Sequence, residues 1–148
     1  MASSATAAVG SVNLQPGLRH SRTIAVSEAL AVPALGRLFG AATEMPPVFA
    51  TANMIALVEW TCVEALAPYI AADQRTVGTH VDISHCAATP VGMQVTAEVE
   101  LVEVDGGRLR FRVVCRDEKE TIGEGFHERF VIDHRRFMNR LAKKREMS

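Results

Sequence analysis

The chain has 148 residues, 48% of them apolar, and its 16 Lys and Arg against 17 Asp and Glu leave a formal net charge of −1. That balance excludes a disordered chain, which couples low hydrophobicity to high net charge, and a strongly basic nucleic-acid binder. A length near 150 fits one domain that hides roughly two-thirds of its surface on folding.

Residues 1–11, MASSATAAVGS, are rich in Ala, Ser and Gly. They read as a frayed tail rather than a signal peptide, because the positive n-region and the Leu/Val-rich h-region are both missing. The remaining residues 12–148 are expected to form one domain. A short strand is predicted over His20–Val26. Ala29–Ala42 contains Pro33, Gly36 and Gly40, breakers that allow one or two short turns and forbid a long helix. From Thr51 to Leu66 the apolar period becomes helical: Met54, Ile55, Val58, Cys62, Val63 and Leu66 recur at steps of three and four. Thr51 stands where an N-cap is useful, and Pro68 lies just past the end.

After Asp73 the period drops to two. Gly78–Cys86, Met93–Val104, Arg108–Asp117 and Thr121–Ile132 are predicted as four consecutive antiparallel strands in a meander. Arg108–Val114 is the clearest, with Leu109, Phe111 and Val113 on one face and Arg108, Arg110 and Arg112 on the other. Asp105-Gly106-Gly107 supplies a tight hairpin turn. A basic helix over Arg135–Arg145 ends the chain. One long helix followed by such a meander predicts an α+β architecture, with the sheet wrapped on the helix and a homodimer through its free surfaces. Nothing approaches the roughly 20 uninterrupted apolar residues of a membrane span. Cys62, Cys86 and Cys115 are odd in number and without a Cys-x-x-Cys pair. A disulfide framework and a zinc finger are therefore not expected, and the default setting is the reducing cytoplasm.

Glu59 is the most informative residue, because it falls within the apolar stripe of the long helix. A glutamate is almost never buried without a partner. It is therefore a helix-edge side chain turned to solvent, a buried structural ion pair, or a carboxylate held in a pocket beside a His or Thr. His80 and Asp82 share a strand face while His85 points the other way, which argues against a metal site. Small residues, Ala87-Ala88-Thr89, follow His85 and leave room for a ligand beside the ring. Gly78 presents an unobstructed N–H, either for an oxyanion or only for a turn. Arg129 reads as a sheet-surface charge, and the C-terminal cations as a solvated helix face.

Pro47–Thr51, Glu59–Cys62, Ala67–Tyr69, Gly78-Thr79, His85–Pro90 and His127–Arg129 together resemble the hotdog-fold acyl-CoA thioesterases of the fluoroacetyl-CoA thioesterase family, over about Pro47 to Phe137. The resemblance implies a long central helix wrapped by an antiparallel sheet, and a dimer, or a tetramer, with active sites at the dimer interface. It implies catalytic roles for Thr51, Glu59 and His85, substrate contacts for Gly78 and Arg129, an acyl-CoA substrate, and no cofactor or metal. The family's fluoroacetyl enzyme carries lid phenylalanines just upstream, where this chain reads Ala42-Thr-Glu-Met45. A hydrolase of short- or medium-chain acyl-CoA is the expectation. The alternatives are a non-catalytic acyl-CoA-binding module and an enoyl-CoA hydratase, whose Asp-x-Asn-Pro-x-His-like segment is absent.

Overall fold

The computed structural model describes residues 14–147, so the expected tail of residues 1–11 lies outside it. Strand β1, Arg19–Ala25, leads through a 3-10 turn at Glu28–Leu30 into helix α1, Val32–Leu38. Helix α2 spans Thr51–Leu66 and runs into a second 3-10 turn, Ala67–Tyr69. Strands β2 (Gln74–His85), β3 (Gln94–Asp105), β4 (Arg108–Asp117) and β5 (Thr121–Asp133) follow, and helix α3, His134–Glu146, closes the chain. Pro33 sits in the first turn of α1, where its missing N–H costs nothing. Among the described residues, no helix is long and apolar enough to cross a membrane.

The five strands form one antiparallel sheet in the order β1-β3-β4-β5-β2. The expected meander of four consecutive strands therefore needs correction: only β3, β4 and β5 follow one another, and β2 pairs with β5 at the far edge. Sequence periodicity fixes which residues share a face, but it carries nothing about which distant strand supplies the partner. The β3–β4 turn is as predicted, with Asp105 opposite Arg108 and Gly106 at φ +61°, the left-handed region that a two-residue hairpin uses. Gly125 sits on β5 opposite Ile83, where a Cβ would run into the Asp82 carbonyl. Its φ of +156° and missing side chain let β5 and β2 close on one another.

Alternation on β3 and β4 puts Val95, Ala97, Val99, Leu101, Leu109, Phe111, Val113 and Cys115 on one face, all buried with the inner side of α2. Each large side chain so buried contributes about 1.5–3 kcal/mol. The buried side of α2 is Met54, Leu57, Val58, Thr61, Cys62, Ala65 and Leu66. Thr61 is accommodated there because its hydroxyl donates to the Leu57 carbonyl, 2.7 Å away. The predicted stripe is thus turned by about one position. Ile55, Glu59 and Val63 lie along the edge of the buried face, not within it.

Candidate active site

Thr51 is the first residue of α2, one position inside the expected cap. The cap is Ala50, which contributes no side-chain bond. The Thr51 hydroxyl is engaged elsewhere: Oγ1 lies 2.7 Å from His85 Nδ1, at the end of β2. Val32, Val48, Phe49 and Ala87 wall a cavity of about 270 Å³ around this pair. Burial pulls the His85 pKa below its ordinary value, outweighing the nearby Ala87 backbone, which favours the charged ring. Its Nε2 is buried without a hydrogen-bond partner among the described residues. Cys86 points out of this pair and turns its thiol to the Thr121 and Ile122 carbonyls. The three cysteines are all unpaired.

The other candidate residues meet elsewhere. Glu59 Oε1 accepts from Arg129 Nη1 at 3.0 Å, with the carboxylate side chain 41% exposed and the guanidinium side almost wholly covered. Arg129 is 5% exposed, so its reading as a sheet-surface charge is overturned. It faces α2 from β5, and Nε and Nη2 donate to the hydroxyl and carbonyl of Thr76, each at 2.9 Å. Gly78 lies directly opposite Arg129 across the β2–β5 ladder. It is no turn glycine. A Cβ there would stand 2.7 Å from Glu59 Oε1 and 3.3 Å from Arg129 Nη1, so the position must be glycine for the carboxylate to reach its place. A cavity of about 620 Å³ opens beside this cluster, walled also by Trp60, Val63, Ile70, Arg75 and His134.

Sequence reasoning missed His127. It is fully buried two residues before Arg129, on the same face of β5, and touches both Arg129 and the His80 backbone. Burial first, and the Arg129 charge in addition, hold its pKa below the ordinary value against the opposing His80 bond.

Within one chain, then, the five candidate residues form two groups. Thr51 and Glu59 are eight residues apart on α2, about 12 Å along its axis. Gly78 and His85 are seven apart on β2, about 23 Å.

Other proteins share this fold. A hot-dog-like protein from Thermanaerovibrio acidaminovorans superimposes with a TM-score of 0.75 over 87% of this chain and 91% of its own, at 19% identity, a likeness of fold. A solved fluoroacetyl-CoA thioesterase superimposes with a TM-score of 0.86 at 38% identity, over 90% of this chain and 98% of that one. Further structures of that enzyme hold fluoroacetate with CoA, or acetyl-CoA. The fold is the hotdog fold, and the class is that of the acyl-CoA thioesterases, enzymes that hydrolyse a thioester. The curated fluoroacetyl-CoA thioesterase of Streptantibioticus cattleyicolor is 45% identical over 101 residues, 68% of this chain and 73% of its own. The family model described as fluoroacetyl-CoA-specific thioesterase matches residues 36–135, and the chain belongs to that family. The non-catalytic module and the hydratase are thereby set aside.

Proposed function

We propose that the protein hydrolyses short- or medium-chain acyl-CoA thioesters at a site built from Thr51, His85 and Glu59, with Gly78 and Arg129 against the substrate. The observation that carries this reading is the 2.7 Å contact between the Thr51 hydroxyl and His85 Nδ1. That distance is the reach at which a base takes a nucleophile's proton. Burial keeps the imidazole neutral and so able to accept it. The proton moved by His85 serves attack by Thr51 Oγ1, or by a water that Thr51 holds. In either route the tetrahedral carbon expels the CoA thiolate, which takes up the proton; attack by water gives the free acid at once, whereas attack by Thr51 leaves an acyl ester on Oγ1 that a water then cleaves. Glu59 is the second base in this scheme, and the Gly78 N–H faces the developing oxyanion, a contribution of about 3 kcal/mol per donor.

The two half-sites support a homodimer. Strand β2 is a sheet edge 12 residues long, and at its middle Val81 is 46% exposed. Such an edge calls for pairing. Gly78 and His85 lie symmetrically about the Val81–Asp82 link. Antiparallel pairing of two β2 edges around a two-fold axis there sets Gly78, and the Glu59 against it, opposite His85 of the partner subunit. Arg75 on the larger cavity's wall and the cations of α3, which begins at that wall with His134, suit the phosphates of CoA. Three free cysteines suit a cytoplasmic setting.

The test is a panel of acetyl, branched, aromatic and longer acyl-CoA thioesters followed by release of free thiol. Thiol release from the short and medium acyl chains is expected. Because Ala42–Met45 brings no aromatic to the pocket's approach, fluoroacetyl-CoA is expected to be turned over no faster than acetyl-CoA. No release from any member overturns the reading.

A further inference from the structure

We propose that His127 is a positioning residue: its imidazole, clamped between the His80 carbonyl and the Arg129 guanidinium, sets where Arg129 holds Glu59. This rests on the reading of Glu59 as a catalytic base. His127 Nδ1 lies 2.8 Å from the His80 carbonyl oxygen. A carbonyl only accepts, so Nδ1 carries the ring proton and Nε2 is left with a lone pair. Arg129 Nη1 donates to that lone pair at 3.2 Å and to Glu59 Oε1 at 3.0 Å. Its two hydrogens are thereby both assigned. With Nε and Nη2 donating to Thr76, four of the five guanidinium N–H groups are fixed.

The ring is as much part of the site as the charges it orders. A Cβ on Gly78 would meet His127 Cε1 at 3.3 Å, alongside Glu59 and Arg129, so three side chains converge on the one glycine. The β2–β5 register shifts between Gly78 and His80, next to the carbonyl that holds the ring. A second proton on the ring would aim an N–H at an N–H of Arg129 and break the alignment. The charged groups that act on the ring are Arg129, on its own strand, Glu59 from α2, and Glu128, which is bound by Arg110 of β4 on the other sheet face. His127 is thus the neutral acceptor that a buried arginine requires if it is to keep its remaining hydrogen for Glu59.

The test compares two variants in the full-length protein with acetyl-CoA. His127→Leu removes the acceptor, and His127→Gln keeps an oxygen in reach of Arg129. In His127→Leu, kcat is expected to fall about 100-fold with KM changed less than about threefold, the effect of a catalytic group displaced by an ångström. In His127→Gln, kcat is expected to return to within about tenfold of wild type. The acid limb of log kcat against pH, to which His85 and His127 both contribute in wild type, is expected to become less steep by one proton in His127→Gln. A folded His127→Leu with wild-type kcat overturns the proposal, as does a His127→Gln with an unaltered acid limb, which remains readable where the leucine variant does not fold. Glu59→Gln, run in parallel, separates the two ideas. If it is inactive while His127→Leu is normal, only the positioning role falls; if it is fully active, the catalytic reading of Glu59 falls with it.

Discussion

Glu59→Gln and His85→Ala are each expected to abolish acyl-CoA hydrolysis while the protein keeps its fold and its oligomeric state. Neither side chain belongs to the apolar core: Glu59 lies on the edge of α2, and His85 ends a sheet-edge strand. Their loss leaves the packing of α2 on β3 and β4 untouched, so circular dichroism and size-exclusion chromatography should match wild type. Removing an acid–base group costs about 10²- to 10⁴-fold in kcat. Full activity in either variant would sink the assignment. The sign of the pH dependence follows from burial. His85 is pulled below its ordinary value, so it is neutral and competent at pH 7, and activity falls only as the pH drops below the usual imidazole range. Folding follows the same direction: the unfolded chain takes up the proton first, so stability tied to His85 is complete above the ordinary imidazole pKa and is lost as pH falls through the folded-state value.

The second large effect belongs to Gly78→Ala. The added methyl would stand 2.7 Å from Glu59 Oε1, the end of a flexible side chain rather than fixed backbone. The carboxylate can swing aside at little cost to folding, but it then leaves the position at which Arg129 holds it. The expected result is a melting temperature within about 3 °C of wild type together with a fall in kcat of about 100-fold. A drop in melting temperature with unchanged kcat per folded molecule would show that Gly78 is needed for the ladder and not for the carboxylate.

How much of this was legible in the sequence varies with the range of the interactions involved. Helix α2 and strand β4 follow from local periodicity, and the side chains of β4 alternate in the structure as Leu109, Phe111 and Val113 predict. The phase of α2 did not follow. Ile55 and Val63 are the larger apolar residues, so they drew the predicted stripe toward Glu59, whereas the face that is buried runs through the small Thr61 and Ala65. Small side chains weigh little in a hydrophobic pattern, yet they are what lets a helix lie close on a sheet. Arg129 was misread because burial of a charge depends on partners far away in sequence: Glu59 is 70 residues distant and Thr76 is 53. The sign that could have exposed both buried residues was the alternation of His127 and Arg129 on one face of a strand. Once that face is known to carry the core, a charge on it demands a counter-charge. The Thr51–His85 pair bridges 34 residues and was suggested only by family resemblance.

A site divided between two chains carries a genetic signature. In the proposed dimer, when subunits bearing His85→Ala mix freely with subunits bearing Glu59→Gln, half of the dimers would be mixed. Each of those unites the sound Thr51–His85 end of one chain with the sound Glu59 end of the other. Two inactive alleles are then expected to complement, recovering about a quarter of wild-type activity in the mixture. In the proposed dimer the unequal reach of α2, with Thr51 at its first turn and Glu59 two turns on, would make heredity at this locus depend on assembly: a defect in either end would be masked by a copy that is broken at the other.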